Sequence, residues 1–251
     1  MYEGFANAYD QMMEEIPYEE WFEKLHSYIR KQGVEKGILC ELGCGTGTMT
    51  EHFAKAGYEM IGIDNSIDML AMAQQKKQET NSDILYLEQD MQEFELAEPA
   101  DVIVSICDSM NYLLEEEDMC STLRQVKNNL KTDGYFIFDL KTKYCFQTVM
   151  GNRTMVEQEE DITYIWENYF YEEEEINEYS LTIFQRRNTS DLFEKTEEVH
   201  HQKVYSLEKM QELLEQNGLV VVECLDEKME GKPREDSERI YIVAKNEEEN
   251  Q

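Results

Sequence analysis

The apolar positions of this chain change period twice. Between Pro17 and Gly33, residues Trp21, Phe22, Leu25, Tyr28 and Ile29 recur at three- and four-residue intervals within YEEWFEKLHSYIRKQ. That spacing predicts an amphipathic helix, with Pro17 at its start and Gly33 as its stop. From residue 37 to about 142, short apolar runs alternate with helical patterns. ILCEL precedes a helix over about 48–56, MIGID a helix over about 67–78, and DVIVSIC a helix over about 116–130; ILYLE and YFIFDL complete the series. Apolar runs separated by helices predict βαβ units in a mostly parallel sheet covered on both faces. Beyond residue 142, ITYIWENYFY, INEYSLTIFQ and EEVHHQKVY are rich in aromatic and β-branched residues and are split by acidic or polar turns. They predict antiparallel strands. Ser206 is placed to cap a helix over LEKMQELLEQN, Gly218 to end it, and LVVVECL and RIYIVAK return to strand.

Composition narrows the picture. At 251 residues and 41 % hydrophobic, the chain fills one large domain or a domain with an insertion. No run approaches the ~20 apolar residues of a membrane span, and MYEGFANAYDQMMEE lacks the basic and apolar segments of a signal peptide, so the expected address is the cytoplasm. Without a secretory signal, the glycosylation patterns at Asn152-Arg153-Thr154 and Asn188-Thr189-Ser190 are set aside. The six cysteines form no C-x-x-C pair, which argues for reduced core residues and no metal site. The net charge is −32, from 55 acidic and 23 basic side chains. Such a surface repels polyphosphate, so nucleic acids and anionic membranes are expected not to be partners.

The candidate chemistry begins at ELGCGTG, residues 41–47, directly after the first strand. Glycines there allow left-handed backbone and close approach of a ligand. Two cofactor classes use such a loop. The dinucleotide fingerprint GxGxxG is met by Gly43 and Gly45 but has Thr48 in its third place, whereas E-x-G-x-G-x-G is met in full by Glu41, Gly43, Gly45 and Gly47. MIGID puts Asp64 at the tip of the second strand, EQDMQEF puts Asp90 and Met91 after the third, and SICDSMNYL puts Cys107 and Asp108 after the fourth.

In these marks the chain resembles the class I S-adenosylmethionine (SAM) dependent methyltransferases of bacterial small-molecule type, over roughly residues 37–140. The resemblance implies an α/β, doubly wound, mostly parallel seven-stranded sheet over 37–145 and 206–246, with an antiparallel β insertion at 150–205. It implies SAM as cofactor and S-adenosylhomocysteine as product. Asp64 would hold the ribose hydroxyls, and Asp90 with Met91 the adenine. Glu41 would meet the cationic methionine part directly or through water, or else be a buried acid satisfied by loop amides. Cys44, Gly47, Asn65, Met69 and Cys107 complete the expected cofactor site. Residues 1–36, with Tyr2, Tyr9, Tyr18 and Trp21, would form a helical lid in which Tyr9 is the preferred cofactor contact; Trp21 has core packing as its equal alternative.

Methyl transfer is an in-line displacement, so alignment and exclusion of water matter more than a catalytic triad. Asp108 is the expected group to orient or deprotonate an acceptor, unless it caps the following helix; Asn111 and Tyr9 are its companions as catalytic candidates. Tyr112, Trp166 and Tyr169 are the expected acceptor contacts. By alternation Tyr164, Trp166 and Phe170 share one face of their strand, and Tyr169 and Tyr171 the other. His200 and His201 must point to opposite faces, and each is expected to be structural or exposed. The expected function is methyl transfer to a small-molecule nitrogen or oxygen nucleophile, by a monomer or homodimer. The alternative is a SAM- or nucleoside-binding module without turnover.

Overall fold

The computed structural model describes residues 3–13, 16–186 and 192–247; Tyr2 and Asn188-Thr189-Ser190 lie outside them. Helices α1 (Glu3–Met12) and α2 (Tyr18–Lys31) lead into the alternating series β1 (Ile38–Leu42), α3 (Thr48–Lys55), β2 (Glu59–Asp64), α4 (Ile67–Thr80), β3 (Leu85–Glu88), β4 (Ala100–Ser105), α5 (Glu116–Asn129) and β5 (Leu130–Lys141). Strands β6 (Arg153–Gln158), β7 (Ile162–Tyr171), β8 (Ile176–Arg186) and β9 (Phe193–Lys203) follow, and then α6 (Leu207–Gln216), β10 (Val220–Leu225) and β11 (Arg239–Lys245). The caps match the sequence: Ser66 and Ser206 accept the amides of Met69 and Lys209 at the starts of α4 and α6, and Gly33 turns left-handed after α2.

The main sheet has seven strands in the order β10-β11-β5-β4-β1-β2-β3. Strands β1 to β5 run parallel to one another, and β11 lies antiparallel between β5 and β10. Alternation on β5 shows why both faces are filled. Phe136, Phe138 and Leu140 point to a core shared with Leu123 and Val126 of α5 and Met210 and Leu214 of α6, while Ile137 points to a core shared with Leu25 and Ile29 of α2, Phe53 of α3 and Leu70 of α4. Thus α2 packs into the core. Helix α1 lies outside it: Ala6 and Ala8 are buried against Met69 of α4 and against Ile162, Leu181 and Ile183 of the second sheet.

That second sheet, β6-β7-β8-β9, is antiparallel throughout and lies between β5 and α6 in the chain. Trp166 and Phe170 of β7 face inward, and Tyr169 and Tyr171 face out to solvent. Strand β6 went unforeseen because it is an edge: RTMVEQ is exposed at every residue and so carries no burial pattern. A π-helical turn over Cys145–Met150, which buries Phe146 against Phe170, was also unforeseen.

Candidate active site

Parallel strands change direction of winding between β1 and β4, and the carboxyl ends of β1, β2 and β4 meet there. Gly43, Gly45 and Gly47 all take left-handed φ angles, of 68°, 53° and 77°. The reasons differ. A side chain on Gly43 would start 2.6 Å from the Ser109 hydroxyl, and one on Gly47 would strike the Tyr86 hydroxyl. Space beside Gly45 is open, because it faces a cavity of about 240 Å³. Asp64 at the tip of β2 steadies the loop, its carboxylate accepting the amides of Gly45 and Ser66, each at 2.8 Å. Glu41 on β1 is buried and accepts the Thr50 hydroxyl. Burial pushes its carboxyl up to about 8, with Asp64 nearby adding to the shift.

The cavity runs from this loop toward the second sheet. Glu41, Gly43, Cys44, Gly45, Asp64, Asn65, Met69 and Met91 border one end. Tyr9 of α1, Tyr18 of α2, Cys107, Tyr112 and His200 border the other. Burial raises the phenols of Tyr9 and Tyr18 and pushes the Cys107 thiol up to about 12, so all three keep their protons near neutrality. His200, on β9, is the one of the two neighbouring histidines that borders the cavity. Its ring is buried, stacks on Tyr179 at 4.7 Å, and has Nδ1 3.3 Å from the Tyr112 hydroxyl, which lies 2.6 Å from that of Tyr179. Burial, with His201 beside it, lowers it to about 4. His201 faces the other way, onto Glu178 at 3.0 Å.

Several expected residues stand elsewhere. Asp108 is buried outside the cavity wall, its carboxylate 2.9 Å from Arg239 and 3.0 Å from Lys141, and accepting the Gln202 amide at 2.6 Å. Burial opposes its charge, but the two cations outweigh it and hold the carboxyl below its ordinary range. It is the centre of an ion cluster completed by Asp139, which pairs with Arg239 and accepts the Asp108 amide. Asn111, in the turn after β4, ties β9 to β5, donating to the Lys203 carbonyl at 2.8 Å and accepting the Lys141 amide at 3.0 Å. Trp21 lies under the Arg239 guanidinium at 5.0 Å. Asp90 accepts the Gln92 amide at 2.8 Å, leaving its neighbours Gln89 and Met91 on the cavity wall. Gly47 serves as the α3 cap, and Trp166 stands behind the wall, stacked on Tyr179 at 4.3 Å. Tyr169 is on the outer face, 48 % exposed, where it meets only its neighbour Tyr171 among aromatic side chains described. Arg239 and Lys141 carried a signal that the sequence reading passed over: they open β11 and close β5, and antiparallel pairing sets them opposite each other at the sheet edge where ligands bind.

Known proteins supply the context. A methyltransferase-domain family matches residues 39–134. A protein of Geobacillus sp. (strain WCH70), named as a methyltransferase, is 34 % identical over 246 residues, covering 97 % of this chain and 99 % of its own. The crystal structure of a SAM-dependent methyltransferase from Clostridium acetobutylicum ATCC 824 superposes with a TM-score of 0.88 at 25 % identity, over 98 % of this chain and 99 % of that one. The chain is a class I SAM-dependent methyltransferase. A third likeness, to the sugar N-methyltransferase KedS8 of Streptoalloteichus sp. ATCC 53650, has a TM-score of 0.77 at 16 % identity over 99 % and 93 % of the two chains, and so speaks for the fold.

The methyltransferase's own residues suit its cofactor. Glu41 is a buried acid whose ionisation a cation would favour, Gly45 leaves its side of the loop bare, and Met69 and Met91 offer polarisable, apolar surface. SAM brings a cationic sulfonium, an ammonium and no phosphate, which agrees with a wall that, among the described residues, contains carboxylates and no Lys or Arg.

Proposed function

We propose that this methyltransferase acts on a small-molecule acceptor bearing an uncharged N–H or O–H group, an amino group in preference. One observation carries the reading: α1, the glycine loop and the second sheet contribute Tyr9, Gly45 and His200 to one roofed cavity. A roofed cavity accommodates a compact molecule and shuts out water, as alkylation of a weak nucleophile requires. The aromatic, uncharged far end favours an acceptor without a full charge at the reacting atom, and the net charge of −32 disfavours polyanionic substrates. The fold shared with KedS8 supports the amino preference.

In this reading α1 is the lid, with Tyr9 on its inner side, and residues 150–205 form the acceptor cover. Glu41 meets the methionine end of the cofactor, Asp64 the ribose, and Met91 with Gln89 the adenine. Tyr112 and His200 face the acceptor. The enzyme works in the cytoplasm as a monomer or homodimer, without nucleic acid or membrane; no described helix is long and apolar enough to span a bilayer. The test is incubation with methyl-labelled SAM and a fractionated metabolite extract. Label in a low-mass product supports the proposal, and label confined to protein or nucleic acid overturns it.

A further inference from the structure

We propose that Asp10 of α1, Thr46 of the glycine loop and Lys76 of α4 form a latch that holds α1 shut over the cofactor, so that cofactor exchange waits on its opening. This rests on the reading of α1 as the lid and names what fastens it. One Asp10 oxygen accepts the Thr46 hydroxyl at 2.6 Å, and the other meets the Lys76 ammonium at 2.7 Å. Lys76 also donates to the Thr46 hydroxyl at 3.0 Å and to the Thr48 hydroxyl at 2.8 Å. All three ammonium protons are thereby used, and the Thr46 hydroxyl both donates and accepts. Both threonines border the cavity, as does Tyr9, the chain neighbour of Asp10.

The weight of the latch follows from how lightly α1 is otherwise built. A helix of ten residues is marginal by itself in water and takes its stability from what it touches. Its buried apolar side chains, among the described residues, are Ala6 and Ala8, which remove little surface from water; Tyr9 and Met12 are partly buried beside them. Tyr9 also hydrogen-bonds Tyr18 of α2, a contact between neutral phenols. The tie from Gln11 to Glu159 is exposed and 3.5 Å long. The latch differs in kind. The Asp10 and Lys76 side chains are only 33 % and 25 % exposed, and their charges are shared with two hydroxyls instead of standing as a lone surface pair.

The loop end of the latch couples it to the cofactor. Thr46 stands between Gly45, whose amide is held by Asp64, and Gly47, the cap of α3. A ligand seated against Gly45 fixes the loop and with it the Thr46 hydroxyl, which keeps the Asp10 carboxylate in place. Coupling of this kind is reciprocal: whatever steadies α1 tightens the ligand, and the ligand steadies α1 by the same factor. Asp10 is therefore a positioning residue, acting on the cofactor through Thr46 and α1 without touching it.

Asp10→Ala, Lys76→Met and the double variant test this, by stopped-flow release of S-adenosylhomocysteine and by hydrogen exchange of the α1 amides with and without it. Asp10→Ala is the cleaner variant, because it leaves Lys76 bonded to Thr46 and Thr48. Each single variant should speed release about 5- to 50-fold, the scale of a lost, partly exposed, charge-assisted hydrogen bond. The double variant should be no faster than the faster single one, since both remove the same contact. Bound S-adenosylhomocysteine should slow α1 exchange by about fivefold or more in the wild type, the low end of a typical coupling, and by much less in Asp10→Ala. An ion pair that only stabilises the fold would leave the release rate and this ligand dependence unmoved. Release within about twofold of wild type in both single variants, or effects that multiply in the double variant, overturns the proposal. The α1 amides then say what else falls. Faster α1 exchange with unchanged release means that α1 is not the lid, whereas unchanged exchange leaves the lid reading standing and removes only the latch.

Discussion

The two ends of the cavity are built by opposite strategies. At the cofactor end, backbone does the positioning: three left-handed glycines and the amides of Gly45 and Ser66 are set by residues that lie between 41 and 91 in the chain. At the acceptor end, side chains far apart in sequence position one another. Tyr112 and His200 on the wall are separated by 88 positions, and in the ion cluster outside the wall Asp108 and Gln202 are separated by 94 and Asp108 and Arg239 by 131. A backbone site tolerates little change of residue but is locally encoded; a side-chain site can be rebuilt for a new acceptor without disturbing the first. The same contrast separates the sheets, because among the described residues the second one contributes His200 to the cavity wall and Gln202 to the ion cluster outside it.

The largest effect expected from breaking this division is on stability, at the buried ion cluster. Asp108→Ala leaves Arg239 and Lys141 short of a partner in a buried setting, which should cost about 3–5 kcal/mol in chemical denaturation. Asp108→Asn keeps the shape and should cost less. The folded-state carboxyl lies below its unfolded value, so its contribution is present above the unfolded pKa of about 4 and is lost as pH falls further. A variant with stability near wild type would show that Asp108 is not held as described, and would reopen its candidacy as a base.

Next in size is the glycine loop. Gly43→Val puts a branched side chain at φ 68° and against Ser109, so affinity for S-adenosylhomocysteine should fall by at least about 100-fold while the acceptor end keeps its fold. Calorimetry measures the first and near-ultraviolet circular dichroism the second. Equal loss of both would mean the two ends are not separable.

That separability is also why the sequence disclosed one end and not the other. The parallel sheet and its helices follow from periodicity, and Glu41, Gly43, Asp64 and Met91, which the family resemblance singles out as candidates for the cofactor, stand at successive strand ends, each readable within a few residues of its neighbours. Asp108 was placed correctly after β4 yet given the wrong partner, because nothing local to SICDSMN announces Arg239. His200 was set aside for a related reason. In EEVHHQKVY both histidines have the same local pattern, and only the pairing of β9 with β8 decides which faces the cavity. Tyr169 went wrong in the opposite sense: its strand and face were right, but the face that packs could not be chosen from alternation alone.

A smaller effect sharpens the cofactor end. Glu41→Gln should weaken SAM binding by roughly 1–3 kcal/mol, the worth of a hydrogen bond to a charged group, and weaken S-adenosylhomocysteine less, since the product has lost the sulfonium charge. In the wild type, the free enzyme's Glu41 is protonated below about 8 because burial raises it, and a bound cation favours the ionised form. SAM affinity should therefore rise from pH 6 to 9, with proton release on binding that Glu41→Gln abolishes. By the same sign, the raised carboxyl makes the ligand-free protein lose stability as pH climbs from about 4.3 toward 8, and saturating SAM should offset that loss. A pH-independent affinity would place the charge recognition elsewhere.

The smallest expected effect concerns the outer face of the second sheet, where the sequence reading and the structure disagree over Tyr169. It stands 48 % exposed, edge-on to Tyr171 at 4.6 Å, whereas Trp166 on the inner face stacks behind the cavity wall. Tyr169→Ser should change stability by no more than about 0.5 kcal/mol and leave both product affinity and the transfer rate unaltered, as surface substitutions away from a site do. Trp166→Leu removes the ring that backs Tyr179 and His200, so it should slow transfer at unchanged product affinity. If Tyr169→Ser slows transfer while the protein stays folded and binds S-adenosylhomocysteine normally, the acceptor approaches from the outer face of the sheet, and the roofed cavity is not where methyl transfer is completed.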